Sequence, residues 1–171
     1  MNFQETFPMT GSMYLQDSLT KAPLCFIPCT KEDLPTVLKG SLEILDELQK
    51  DQGLDLSAVR NALISRAETE IDDYTKLMEG SQLIGWYHVI EGLTSLELDD
   101  VNILEPFRSK GYGSRILDRV IERARAAKKS VTVTVSAENA RAAAFYERHG
   151  FSLSHRDARQ NLHFTHEADR F

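Results

Sequence analysis

At 171 residues, with 42% apolar and 27% charged residues, the chain has the make-up of one ordinary globular domain that buries about two-thirds of its surface. A formal net charge of −6 counts against a nucleic-acid binder, whose affinity rests on clustered cations, and leans slightly toward cationic small substrates. No apolar run approaches the roughly 20 residues that cross a bilayer, and no secretory leader is visible, so a cytoplasmic protein with no membrane partner is expected.

In chain order, residues 1 to about 21 mix Gly, Ser, Thr and Pro without periodicity and read as an N-terminal arm or extension, leaving 22–171 as a single domain. Leu24 to Pro28 reads as a short strand. Cys25 and Cys29 are the only cysteines. Four residues of strand set them about 13 Å apart, too far for a disulfide, so both are expected as buried free thiols in a reducing compartment. Thr30 has the character of a helix N-cap with Asp33 three residues on, and Leu34, Val37, Leu38, Leu42, Leu45 and Leu48 follow at helical spacing. Pro35 is tolerated because it falls in the first turn. A second helix is predicted from near Ser57 to Ala67 with Val59 and Leu63 on its inner face.

Tyr74 to Met78, the turn Glu79-Gly80-Ser81, and Leu83 to Ile90 form a predicted hairpin. Ser95 to Ile103 is the next strand. Its alternation breaks at Asp99-Asp100, where a bulge would return Val101 and Ile103 to the inward phase of Leu96 and Leu98. A helix from Ser114 to about Lys128 carries the stripe Ile116, Leu117, Val120, Ile121 and Ala124. Arg119, Arg123, Arg125, Lys128 and Lys129, interleaved with Asp118 and Glu122, read as its solvent face. Val131 to Val135, a helix from Glu138 to about Arg148, and strands at Phe151 to Leu153 and Leu162 to Thr165 complete an α+β layered sheet.

Two short runs carry the chemistry. Arg108-Ser109-Lys110-Gly111-Tyr112-Gly113 is a glycine turn, flanked by cations, that opens a helix. Such a turn suits a pyrophosphate: helix N-termini offer unpaired N–H groups and partial positive charge, and glycine lets the backbone approach. A dinucleotide fingerprint would need a third glycine where Ile116 stands, and no Gly-Lys-Ser/Thr closes the run as in a triphosphate loop. The second run, Asn139 through Tyr146 to Gly150-Phe151, is a strand-to-helix junction bearing one phenol.

Arg108, Gly111 and Gly113 meet the pattern Gln/Arg-x-x-Gly-x-Gly/Ala. Asn139, Arg141, Ala142, Phe145, Tyr146, Gly150 and Phe151 meet its later companion. In these motifs the stretch from Leu96 to Leu153 resembles the core of the GNAT N-acetyltransferase superfamily. The resemblance implies a GNAT-like mixed, mostly antiparallel sheet with helices on both faces and splayed central strands. It also implies acetyl-CoA as co-substrate and direct transfer of the acetyl group to a primary amine in a ternary complex. Main-chain N–H groups of Val101, Asn102 and Ile103 would polarise the thioester carbonyl. The turn Arg108, Ser109, Lys110, Gly111, Tyr112, Gly113 and Ser114 would hold the pyrophosphate, with Asn139 and Arg141 also on the cofactor side. Tyr146 would protonate the departing thiolate. Glu97 is the first candidate for the base that deprotonates the amine and Asp99 the second, with Asp100 beside them. Pro106 falls one residue later than is usual in the family, which leaves open which N–H meets the thioester.

The early helices and final hairpin, about residues 40–60 and 155–162, would wall the amine pocket, and neither holds a substrate motif. A non-catalytic acyl-CoA-binding module is the alternative, and another donor such as succinyl-CoA fits the same turn. A homodimer is an assembly the resemblance implies. No metal is expected, because the three-residue spacing of His163 and His166 in a strand puts them on opposite faces. His88, beside Trp86 and Tyr87, is expected as a satisfied structural histidine, with a place bordering the acceptor pocket as the alternative.

Overall fold

A computed structural model describes residues 22–52 and 55–167. The expected arm over residues 1 to about 21 lies outside the described residues, as does the side chain of Leu48. The elements are β1 (Leu24–Pro28), α1 (Leu34–Gln52), α2 (Ser57–Glu70), β2 (Tyr74–Glu79), β3 (Gln82–Glu91) and β4 (Ser95–Ile103), then α3 (Tyr112–Ala127), β5 (Ser130–Ser136), α4 (Ala140–Arg148), β6 (Ser152–Arg156) and β7 (Asn161–His166). The strands form one sheet in the order β1-β2-β3-β4-β5-β7-β6. Every neighbouring pair is antiparallel except β4 with β5. The α+β fold with helices on both faces is therefore as the sequence predicts. No helix among the described residues is long and apolar enough to cross a membrane.

The crossovers from β4 to β5 and from β5 to β6 put α3 and α4 on one face. There Ile116, Leu117, Val120 and Ala124 of α3 pack on Leu96, Leu98, Val131 and Val133, joined by Tyr87, Phe151 and Phe164. Val37 of α1 covers the other face with Cys29, Ile71, Tyr74 and Trp86. β3 is the strand buried on both sides. Ile84 through Val89 form an unbroken buried run, with Trp86 in the α1-side cluster and Tyr87 and Val89 in the α3-side one. The α1 entry is fixed as its sequence suggests: the Thr30 N–H donates to Asp33 Oδ2 at 2.8 Å, and Lys76 Nζ pairs with Asp33 at 2.8 Å.

Two expectations are corrected. Cys29 is buried, but Cys25 is exposed, because β1 is an edge strand whose Cys25 and Ile27 face away from the core. Burial pushes the Cys29 thiol up to about 11. Val59, expected on the inner face of α2, is 49% exposed; the residue that α2 buries completely is Ala67. Val59 faces an open cavity instead of the core.

Gly40 sets how closely α1 lies on the sheet. A Cβ there would come 2.8 Å from Trp86 Cζ2, and closer to Cη2, with Asn102 Nδ2 at 3.1 Å. The next residue, Ser41, thereby reaches β4. Gly40→Ala is expected to lower stability by about 1–3 kcal/mol through overpacking. A urea titration followed by fluorescence of Trp86, the chain's one tryptophan, measures it; an unchanged midpoint would show that α1 shifts freely.

Candidate active site

The sheet opens at its centre. β4 and β5 pair in parallel only from Ser95–Ser130 to Glu97–Thr132, although β4 continues to Ile103 and β5 to Ser136. The bulge expected at Asp99-Asp100 is present: Asp100 pairs with His88 and Leu98 with Val89, leaving Asp99 as the extra residue. Beyond it Val101 and Ile103 return to the α3-side core, while Asn102 turns its side chain, 2% exposed, to the α1 side. The main chain of Leu98 to Ile103 thus has no β5 partner. Ligands of α/β sheets characteristically bind beyond the carboxyl ends of parted parallel strands.

The glycine turn stands at that end. Gly111 is the N-cap of α3 with φ 85°, a conformation that L side chains disfavour, and the first-turn N–H groups of a helix have no intrahelical acceptor. Arg108 Nε donates to the Ile103 carbonyl at 3.0 Å, joining the turn to the tip of β4. Ser109, also at positive φ (60°), accepts from Arg141 at 3.2 Å. Lys110 lies 5.8 Å over the Phe107 ring. Tyr112 is buried and its hydroxyl donates to Glu79 at 3.1 Å, anchoring α3 to the β2–β3 turn. Near Gly113, a Cβ would meet the Phe145 ring at 3.5 Å.

α4 leaves the end of β5 on the far side of the opening. Asn139 is its N-cap, its side chain accepting from the Ala142 N–H at 3.1 Å, so this residue holds the turn before the helix. Tyr146 packs edge-on between Phe145 (5.3 Å between centroids) and Phe151 (5.4 Å). Burial, with a smaller contribution from the charge of Asp100, pushes its phenol up to about 12. His149 ties the two helices together, with Nδ1 2.7 Å from the Phe145 carbonyl and Nε2 2.9 Å from Ser114 Oγ.

The three β4 carboxylates have different surroundings. Glu97 is half-buried at the last β4–β5 pair, at the base of the opening. Asp99 is paired with Arg66 and lies 3.4 Å from His88 Nδ1. Burial raises its pKa, but the His88 hydrogen bond and the Arg66 charge outweigh this and hold it below the usual carboxylate range. Asp100 accepts the Ser41 hydroxyl at 3.2 Å. Burial, reinforced by the neighbouring Asp99, pushes it up to about 6 against that bond. His88 is 1% exposed, stacked on Tyr74 at 4.5 Å, with Nε2 3.2 Å from Glu70, which is the structural setting expected for it.

Asp99 and Asp100 border a cavity of about 360 Å³ on the α1–α2 side. Ala58, Val59, Ala62 and Leu63 of α2 form one wall, Arg66 and Tyr74 line it nearby, and Arg159 reaches in from the β6–β7 turn. Ser41, Arg66 and Arg159 carry no sequence signal, since only the fold brings them to β4. His163 and His166 do lie apart: His163 stacks on His155 and bonds Asp157 at 3.1 Å, while His166 packs on Phe151. Among the described residues no group of three or more His, Cys, Asp or Glu side chains is placed so as to hold a metal ion.

Comparison with known proteins agrees with this architecture. A search of curated protein sequences finds no match. Among solved structures, the PaiA N-acetyltransferase of Thermoplasma acidophilum in complex with coenzyme A superimposes with a TM-score of 0.68 at 15% identity, over 85% of this chain and 99% of that one. A GNAT-family acetyltransferase from Listeria monocytogenes gives 0.67 at 10% identity, over 85% and 95%. N-acetylglutamate synthase of Neisseria gonorrhoeae, complexed with coenzyme A and N-acetyl-glutamate, gives 0.66 at 16% identity, over 88% of this chain and 36% of that one. These likenesses show the fold. The sequence profile of the acetyltransferase (GNAT) family matches residues 46–151, from α1 through the second motif. With well over half of its length matched, the chain belongs to the GNAT acetyltransferase family.

Proposed function

We propose that residues 22–171 form an N-acetyltransferase domain that moves the acetyl group of acetyl-CoA directly to a primary amine within a ternary complex. The carrying observation is the parting of β4 and β5 after three pairs, with the Arg108–Ser114 turn and Tyr146 at the end where they part. Pantetheine amides would pair with the free main chain of Val101, Asn102 and Ile103, one of whose N–H groups polarises the thioester carbonyl. The turn and the start of α3 would take the pyrophosphate, with Arg108, Lys110 and Arg141 supplying charge. Coenzyme A in complexes of similar fold supports this cofactor.

In this reading the base is Asp100, in the role expected of Glu97 or Asp99. Asp99 is already engaged by Arg66 and His88, whereas Asp100 has one hydroxyl partner and a pKa near neutrality, where a general base works best. The acceptor's ammonium first loses one proton to solvent, and the free amine nitrogen then attacks the thioester carbon and forms the C–N bond while Asp100 takes its second proton. The C–S bond breaks and Tyr146 donates to the sulfur. Return of the proton from Asp100 to Tyr146, groups that feel one another electrostatically, resets the site.

Coenzyme A at 100 times its Kd is expected to raise the melting temperature by about 5–10 °C, and a panel of primary amines to release thiol from acetyl-CoA. No shift at millimolar coenzyme A would sink the cofactor assignment. A shift without thiol release on any amine would favour the non-catalytic acyl-CoA-binding module.

A further inference from the structure

Resting on the acetyl-transfer reading, we propose that the acceptor is a small amino carboxylate with an apolar side chain, its carboxylate held by Arg159, its amine at Asp100 and its side chain against α2. Three features of the cavity lead there. The first is the charge balance. Of its two arginines, Arg66 is paired with Asp99. Arg159 has no ion pair or side-chain hydrogen bond among the described residues, yet it lines the same cavity. The cavity therefore presents one carboxylate without a cationic partner, Asp100, whose only side-chain bond is to the Ser41 hydroxyl, and one guanidinium without an anionic partner, complementary to a zwitterion. A polyamine would set its second ammonium beside an unpaired guanidinium.

The second feature is that Arg159 is presented by a fixed turn. Asp157 accepts from the main-chain N–H of Arg159 at 2.8 Å and of Asn161 at 2.9 Å, and from the Asn161 and His163 side chains at 3.0 and 3.1 Å. With its oxygens taken by four donors, Asp157 is committed to the turn and leaves Arg159 for a ligand. A guanidinium fork suits a carboxylate, with two parallel N–H donors for two oxygens.

The third feature is the wall. Ala58, Ala62 and Arg66 recur every four residues on α2, and Val59 and Leu63 do likewise beside them, so one helix face meets the cavity. Two alanines make room and two branched residues give apolar contact. This is why Val59 remains 49% exposed rather than packed into the core. At about 360 Å³ the space is near the small end of ligand sites, suited to a single small molecule.

The test compares L-leucine, L-leucinamide and spermidine as acceptors by thiol release from acetyl-CoA, with the full chain and with Arg159→Leu and Arg159→Lys. Leucine is expected to exceed leucinamide and spermidine at least tenfold in kcat/KM. Arg159→Leu should cut kcat/KM for leucine at least tenfold, through KM, and level it with leucinamide, while Arg159→Lys recovers part of the loss. Each variant's thermal shift with coenzyme A reports that it folds. Leucinamide equal to or better than leucine would overturn the proposal in favour of a peptide N-terminus, and spermidine as the best acceptor would overturn it in favour of a polyamine. In both cases acetyl transfer itself would stand. Thiol release from none of the three, with another amine active, overturns the acceptor class alone; release with no amine at all overturns the acetyl-transfer reading as well.

Discussion

Tyr146→Phe is expected to lower turnover by about 10²–10³-fold while leaving the thermal shift with coenzyme A unchanged. The ring remains to pack between Phe145 and Phe151, so the fold and the α4 side of the opening persist, and only the hydroxyl is lost. Because the phenol is pushed up to about 12, it keeps its proton through any ordinary assay range. The loss should therefore be the same at pH 6.5 and pH 9. Steady-state thiol release at the two pH values measures it. Turnover within a few-fold of the parent would remove Tyr146 from the reaction and leave it as a packing residue.

The second large effect is expected at Asp100. Asp100→Asn should reduce kcat/KM by about 10²-fold or more and abolish the acid limb of the pH profile. In the parent protein that limb is expected to rise through about pH 6 as the carboxyl ionises. The same substitution should stabilise the protein at neutral pH. A carboxyl whose pKa is raised by folding contributes stability that is fully present below the ordinary value and is lost as pH rises through the folded one. For Asp100 the window runs from 3.8 to about 6, worth roughly 2–3 kcal/mol above it. Asparagine avoids that cost and still accepts the Ser41 hydroxyl. Thermal melts at pH 5 and pH 8 should show a gain that is larger at pH 8. A variant that is inactive and also less stable at pH 8 would mark Asp100 as structural. Lost activity with gained stability is the pattern of a group held for function against its own solvation.

Much of the fold is legible because its signals are local. The apolar stripe of α3, the Glu79-Gly80-Ser81 turn and the Thr30–Asp33 entry to α1 each depend on residues a few positions apart. The bulge is readable for the same reason: two adjacent aspartates interrupt an alternation that must resume for Val101 and Ile103 to reach the core. Cys25 and Val59 escape this kind of reading. Both have ordinary inward character, but one sits on a sheet edge and the other on a cavity wall, and neither circumstance is written in the neighbouring residues.

The proposed cofactor side and acceptor side divide along the same line. The Arg108–Gly113 run and the Asn139–Phe151 run are each contiguous, because a helix N-terminus and an N-capped helix assemble their chemistry from consecutive residues, and so the sequence alone determined the family and the place of both of its motifs. The proposed acceptor cavity draws on α2, the β4 bulge and the β6–β7 turn, about a hundred residues apart from Ala58 to Arg159. Only the tertiary structure decided that Arg66 neutralises Asp99, that Ser41 reaches Asp100 past Gly40, and that Arg159 enters the same space. Coulombic pairing and desolvation depend on distance in space, and a linear chain does not carry that distance until it is folded.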